Sequence, residues 1–115
     1  MRSVIGRFLE HSRVFYFRSG KADEVYLSSA DMMNRNMLRR IELAWPVLDP
    51  AVRQRVIDEC LVPYMRDSQD AWDMDEHGNY TPAPPGAGGQ RHGAQASLMA
   101  RYRAAGADRA AKLEA

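Results

Sequence analysis

The run Arg7-Phe8-Leu9-Glu10-His11-Ser12-Arg13 enters a β-rich segment, Val14-Phe15-Tyr16-Phe17. After the Ser19-Gly20-Lys21 turn, a second segment, Glu24-Val25-Tyr26-Leu27, ends in Ser28-Ser29-Ala30-Asp31. Aromatic and β-branched runs on either side of turn residues predict a hairpin over residues 14–17 and 24–29. His11 and Arg13 stand two apart at the lip of the first strand, a spacing that puts two side chains on one face. Pairing of the strands then brings Ser28, Ser29 and Asp31 toward the imidazole, and Arg35, Arg39 and Arg40 follow within a few residues. Phosphate is the ligand that suits this group best: guanidinium grips its oxygens in pairs, hydroxyls and backbone N–H groups hold the rest, and histidine moves a proton. The same residues also admit plain structural roles. A histidine beside an apolar strand is commonly a hydrogen-bonded structural residue, Ser-Ser-Ala-Asp suits a strand end or a helix cap, and the arginines suit a solvated face. His77, beside a Gly-Asn turn, and His92, in a Gly-rich stretch, make weaker cases.

Outward from this region, Phe8 and Leu9 are expected to anchor a short turn that presents His11. Residues 31–38 read as a loop or a single helical turn, with Met32, Met33 and Met37 as an apolar wall or as packing. From Arg40 to Val47, Ile41, Leu43, Trp45 and Val47 alternate with polar or small residues, which predicts a strand with Glu42 on the face of Arg40. Asp49-Pro50 predicts a helix start. Apolar residues from Ala51 to Met65 recur at three- and four-residue spacing, giving an amphipathic helix that buries its stripe against a sheet, with Pro63 kinking or interrupting it. Residues 71–74 and 79–81 flank an Asp-Glu-His-Gly-Asn turn and predict a small hairpin. Residues 82–93, with three prolines and four glycines, read as a flexible linker, and residues 94–115 as a helical tail whose basic residues are exposed or contact an anion.

A length of 115 residues allows one small domain or part of a larger one. With 45% hydrophobic and 27% charged residues the composition is that of a globular protein, and a net charge of +1 gives no overall steer toward nucleic acid or membranes. One cysteine, Cys60, excludes an intrachain disulfide and a cysteine-based zinc site. Arg7, Glu10 and Arg13 interrupt any apolar leader, no stretch reaches membrane-spanning length, and a cytoplasmic location, with possible peripheral contact to a membrane, is expected. No P-loop, dinucleotide fingerprint, Cys/His metal spacing or internal repeat occurs in the sequence.

The strings Arg7–Arg13, Val25–Asp31, Arg35-Asn36, Arg40-Ile41-Glu42 and Pro46–Pro50 together resemble the C-terminal end of the type-1 polyphosphate kinases, closely over the first three-fifths of the chain. That family resembles the phospholipase D superfamily, in which two His-x-Lys motifs from two half-domains meet at one phosphate. The resemblance implies an α/β (α+β) fold, a half-domain over residues 1–81 with a small sheet packed on an amphipathic helix, then the linker 82–93 and the tail 94–115. His11-Ser12-Arg13 is then the second motif, and Ser28-Ser29-Ala30-Asp31 stands where the superfamily carries Gly-Ser-x-Asn. Arginine replaces the usual lysine and holds its proton firmly, so Arg13 binds phosphate rather than moving protons. Asp31 replaces an amide and is expected to orient a protonated His11 or Arg40.

The implied reaction is reversible transfer of the terminal phosphoryl group of ATP to polyphosphate through a phosphohistidine in an upstream half that this sequence does not contain. His11 is the implied catalytic residue, and His11, Arg13, Ser28, Ser29 and Arg35 the implied ATP or phosphate ligands, with Asp31, Arg40 and Glu42 in support. ATP is the implied substrate. Magnesium is expected in the whole enzyme, with no ligand for it here. The implied partners are ATP, polyphosphate and the upstream half, in an oligomeric enzyme without nucleic acid. Because Met1 to Gly6 runs straight into the motif with no preceding strand or cap, the sequence reads as a piece of a longer kinase, inactive or nearly so by itself. Alternatives from other classes are a polyanion-binding remnant or subunit, and a dimeric phosphodiesterase with one His11 from each copy.

Overall fold

A computed structural model describes residues 1–114, so Ala115, the last residue of the expected tail, lies outside the described residues. The chain folds as two units, Glu10–Leu61 and Met1–Leu9 with the residues from Val62 on, each built on its own three-stranded antiparallel sheet.

In the unit Glu10–Leu61, β2 (Val14–Ser19) and β3 (Ala22–Ser28) form the expected hairpin, and β1 belongs to the other unit. Its register runs from Val14 opposite Leu27 to Ser19 opposite Ala22, leaving Gly20 and Lys21 as a two-residue loop. Gly20 has φ +61°, the left-handed value that the first position of a type II′ turn requires and that glycine adopts without a Cβ clash. Phe17 and Tyr26 meet edge to face at 6.2 Å between ring centroids. A six-residue helix, α1 (Asn34–Arg39), follows, then β4 (Ala44–Pro46) on the far side of β3.

The strand expected over residues 40–47 is therefore short. Arg40 to Leu43 is irregular chain fastened by side chains at its end, and Pro46, which lacks an N–H, closes the strand on the sheet's edge. α2 (Pro50–Val56) starts as expected, with Asp49 Oδ1 accepting from Val52 N at 2.9 Å. Arg53 on α2 donates to the carbonyl of Asp23 at 2.7 Å, tying the helix to β3. A π-helical turn, Ile57–Leu61, precedes Pro63, whose missing N–H removes a bond that a regular helix makes four residues back.

In the other unit, β5 (Ala71–Met74) lies between β1 (Arg2–Val4) and β6 (Tyr80–Pro82). The expected hairpin over residues 71–81 is present. Its turn is organised by the Asp75 carboxylate, which accepts from the backbone of His77 and Asn79, each at 2.9 Å. Those bonds, from Asn79 first, hold the Asp75 carboxyl below its ordinary range. Arg2 grips both carboxylate oxygens of Asp73 across the β1–β5 pair at 2.7 and 2.8 Å, and this lowers the Asp73 pKa. α3 (Val62–Met65) packs against α4 (Ala94–Glu114). The Ala51–Met65 stripe is half-buried at Val56, Ile57 and Cys60 and exposed at Met65.

The Pro/Gly stretch 82–93 carries defined bonds: Ala83 is buried and donates to Ala71 O at 2.8 Å, and His92 O accepts from Ser68 N at 2.8 Å. Phe8 and Leu9 do not anchor a turn by burial; both are exposed. Phe8 is held through its backbone instead, in two bonds with the Gln95 amide at 2.9 and 2.8 Å. Among the described residues no helix is long and apolar enough to cross a membrane.

Few apolar side chains are buried, and Asp67 takes up part of the task. It is only 1% exposed, and its Oδ1 accepts from the N–H of Gln69 at 3.0 Å and of Asp70 at 2.8 Å. Its Oδ2 accepts from Ala94 N at 2.7 Å, at the first turn of α4, where a carboxylate also meets the positive end of the helix dipole. Asp67→Ala leaves three backbone donors without their acceptor and is expected to cost about 3 kcal/mol or more. Urea unfolding followed by circular dichroism reads this; a loss below about 1 kcal/mol shows that water replaces the carboxylate.

Candidate functional site

Arg13 precedes β2 and its backbone already belongs to the sheet, since Ser28 N donates to Arg13 O at 3.0 Å. Its guanidinium then closes two further links. Nε donates to Asp31 Oδ1 at 2.7 Å, and Nη1 donates to the carbonyl of His11 at 2.7 Å. The ion pair is half-exposed, with 23% of the Arg13 side chain and 47% of the Asp31 side chain open to solvent, so its value to stability is modest and its value is geometric. It fixes the main chain of His11 against the end of β3. The imidazole itself is exposed and makes no hydrogen bond among the described residues.

This differs in detail from the sequence expectation. His11 and Arg13 lie ahead of β2 in irregular chain, so period-two strand geometry does not govern their side chains. Asp31 pairs with Arg13, the cation with a fork within its reach, rather than with His11 or Arg40. The serines are likewise engaged. Ser28 Oγ donates to Leu43 O at 2.9 Å and accepts from Ala30 N at 3.1 Å. Ser29 Oγ donates to the Glu42 carboxylate and accepts from Leu43 N at 3.0 Å. Glu42 therefore supports Ser29, and no ion pair joins it to Arg40 among the described residues. Arg35 and Arg40 are exposed, and neither makes a hydrogen bond or ion pair among the described residues.

Beside these groups lies a cavity of about 350 Å³, walled by Phe15, Met32 and Met37 and edged by Ser28, Arg40 and Glu42. Asn36 lines it, is only 3% exposed, and leaves its Oδ1 buried without a partner. In the sequence Asn36 stands out only within the Arg35-Asn36 string. Its helical spacing from Met32, Met33 and Arg40 was the available sign that these residues share a face. The three methionines are exposed, against the packing role that the sequence favours, and Met32 and Met37 line the cavity as an apolar wall.

Cys60 is half-buried, and its surroundings favour the protonated thiol. Burial pushes its thiol up, and the neighbouring Glu59 and Glu10 carboxylates push the same way. No three of His, Cys, Asp and Glu converge on one point among the described residues.

Two small antiparallel sheets with flanking helices make this an α+β domain. A solved polyphosphate kinase from Porphyromonas gingivalis has the same architecture, with a TM-score of 0.79 and 36% identity over 90% of this chain and 16% of that one. The family model described as polyphosphate kinase C-terminal domain 2 matches residues 1–95. A polyphosphate kinase of Paraburkholderia phytofirmans is 45% identical over 102 residues, 89% of this chain and 15% of the relative. One from Burkholderia cenocepacia is 50% identical over 80 residues, 70% of this chain and 12% of the relative. The chain belongs to the polyphosphate kinase family, in the part that forms its C-terminal domain 2. It spans about 15% of the length of the curated relatives it matches.

The Arg13 link makes a prediction about the His11 segment. Asp31→Ala removes a half-exposed ion pair, so global stability is expected to change by less than about 1 kcal/mol. Release of the guanidinium should nevertheless raise the exchange rate of the Ser28 amide severalfold, because its acceptor is Arg13 O. Hydrogen exchange by NMR measures this, and an unchanged rate shows that the segment is held by other contacts.

Proposed function

We propose that this chain supplies the His11-bearing half of a polyphosphate kinase site, acting with an upstream half that carries the nucleophilic histidine. The observation that carries the reading is the His11 arrangement: main chain fixed by Arg13 and Asp31, ring exposed and unengaged. Such a ring is positioned without being consumed, which is what a group meeting a ligand requires.

In the proposed reaction the nucleophilic histidine nitrogen attacks the γ-phosphorus of ATP. A nitrogen–phosphorus bond forms, the bond to the β–γ bridging oxygen breaks, and ADP leaves. A terminal oxygen of polyphosphate then attacks the same phosphorus, the nitrogen–phosphorus bond breaks, and the polymer is one unit longer. His11 contacts the nucleotide phosphates and gives or takes the proton at the leaving oxygen. Arg35 and Arg40 are exposed cations available to phosphate oxygens. Arg13 contributes chiefly by holding His11, since Asp31 already takes much of its charge. Ser28 and Ser29 keep the β3–β4 connection in place and offer phosphate only what their bonds to residues 42 and 43 leave over. Magnesium, when bound to the nucleotide, neutralises phosphate charge; its protein ligands belong to the upstream half in this reading.

Two assays test the proposal. ATP-dependent polyphosphate synthesis is expected to be absent with the chain alone and restored when the preceding part of a polyphosphate kinase such as that of Paraburkholderia phytofirmans is supplied. Robust synthesis by the chain alone contradicts the division of labour. In the restored system, His11→Ala should lower turnover by a factor of about a hundred to ten thousand while leaving the circular dichroism spectrum unchanged. Wild-type turnover removes His11 from the mechanism. Retention of polyphosphate without turnover under either condition favours a polyanion-binding subunit instead.

A further inference from the structure

In the unit that contains β1, a cavity of about 340 Å³ is lined by Arg7, Gln69, Asp70, Gln95, Met99 and Arg103. Its walls are closely built. The Gln95 amide bonds both backbone polar groups of Phe8, which sets the chain at Arg7. A Cβ on Gly6 would run into Gln95 Oε1, and one on Gly93 would stand 3.1 Å from the Gln69 amide carbon. Two glycines thus let the main chain close on the two amides that line the cavity. The Arg7 guanidinium carbon lies 5.2 Å from the Phe8 ring centroid, a contact that steadies the cation through its face and leaves its N–H donors unspent. Arg103 reaches the cavity from α4, beyond residue 95, where the matched family domain ends. Among the described residues, neither guanidinium, nor the Asp70 carboxylate, nor the Gln69 side-chain amide makes a hydrogen bond or ion pair.

We propose that this cavity binds a phosphate group that keeps a proton, either free orthophosphate or the end unit of a phosphate chain. Two guanidinium groups from separate segments suit a tetrahedral anion, whose oxygens face several sides, whereas a planar carboxylate is satisfied by one fork. Asp70 selects among tetrahedral anions. A carboxylate only accepts, so a fully ionised anion such as sulfate meets repulsion there, while a phosphate O–H donates to it. The Gln69 amide N–H supplies a neutral donor on the same wall. Arg103 completes the site, which gives the basic tail a task that the functional reading leaves open. None of these residues has a role in that reading, so the two stand or fall separately.

The experiment titrates the full, nitrogen-15-labelled chain with orthophosphate, inorganic triphosphate and sulfate at constant ionic strength. A pH of about 6 leaves a proton on a good share of chain-end phosphates. NMR signals of the Gln69 side-chain amide and of Nε of Arg7 and Arg103 report the site. Orthophosphate is expected to move them saturably and to bind at least fivefold more tightly than sulfate. Asp70→Asn should bring the two anions within about twofold of one another. Arg103→Ala is expected to weaken phosphate binding at least fivefold with an unchanged circular dichroism spectrum, and Arg7→Ala serves as a second variant with the same expectation. Arg109→Ala removes the same charge from the same helix outside the cavity and should bind as the wild type does. Tighter binding of triphosphate than of orthophosphate assigns the site to a chain end, the reverse order assigns it to free phosphate, and both keep the proposal. Equal wild-type affinity for sulfate and phosphate overturns it, as does an equal loss in Arg103→Ala and Arg109→Ala. Shifts confined to Arg35, Arg39 and Arg40 also overturn it, and leave the functional reading untouched.

Discussion

The Arg13 guanidinium is the point through which the His11 segment acquires a position. One fork serves a carboxylate beyond β3 and a carbonyl before β2, so a chain segment without regular structure is held at both sides. A lysine offers a single point charge there and cannot present donors in two fixed directions, which gives the arginine in His11-Ser12-Arg13 a physical reason independent of any ligand. The consequence for chemistry is a separation of tasks. The guanidinium spends its directional bonding on the backbone, and the neighbouring imidazole keeps both ring nitrogens available.

The same economy of polar fastening runs through both units because neither has much apolar interior. In the unit that contains β1, the large buried side chains give way to Ala71, Ala83 and Ala94, and order comes from Asp67, from the Gln95 amide on Phe8 and from Arg2 across the β1–β5 pair. In the unit Glu10–Leu61, Ser28 and Ser29 bond the chain at Glu42 and Leu43 to the end of β3. Each such bond is worth about 1 kcal/mol net, so several are required where one buried leucine would do the same. Polar fastening has a structural benefit. It orders the segment from residue 28 to residue 43 without drawing its methionines, leucines and isoleucine inward.

What was legible in the sequence follows from this balance. The β2–β3 hairpin, the Asp49-Pro50 helix start, the turn at Asp75–Asn79 and the long α4 rest on local chemistry, and all are present. Residues 40–43 misled, because alternating apolar residues resemble a half-buried strand, whereas Ile41 and Leu43 are exposed and serine hydroxyls dictate the path. Side-chain partners were legible only in part. Gathering His11, Arg13, Ser28, Ser29 and Asp31 into one unit followed from strand pairing, but the choice of Arg13 as the partner of Asp31 depends on reach and angle, which a linear sequence does not contain. The cavity under Asn36 depends on how α1 meets the β3–β4 end and has no local signature.

Charge bookkeeping within the unit Glu10–Leu61 explains how a nearly neutral chain presents a cationic face. Its carboxylates are drawn into internal roles: Asp23 accepts from Tyr16, Glu24 from Tyr26, Asp31 from Arg13, Glu42 from Ser29, Asp49 caps α2, Asp58 accepts from Gln54 and Glu59 pairs with Arg55. Most of these partners are neutral, so the acids are spread across the unit and anchored where they stand. Arg35, Arg39 and Arg40 fall within six residues and take none of those anchored acids as partners. Like charges this close in sequence add to one another, and at physiological salt they act over a Debye length of about 8 Å. A net charge of +1 therefore understates the local field, and the segment that carries it also carries the exposed methionines and the unpartnered amide of Asn36. Anion attraction and apolar contact are offered by one stretch of chain, and the acid in that stretch, Glu42, accepts from Ser29 at the edge of the same cavity.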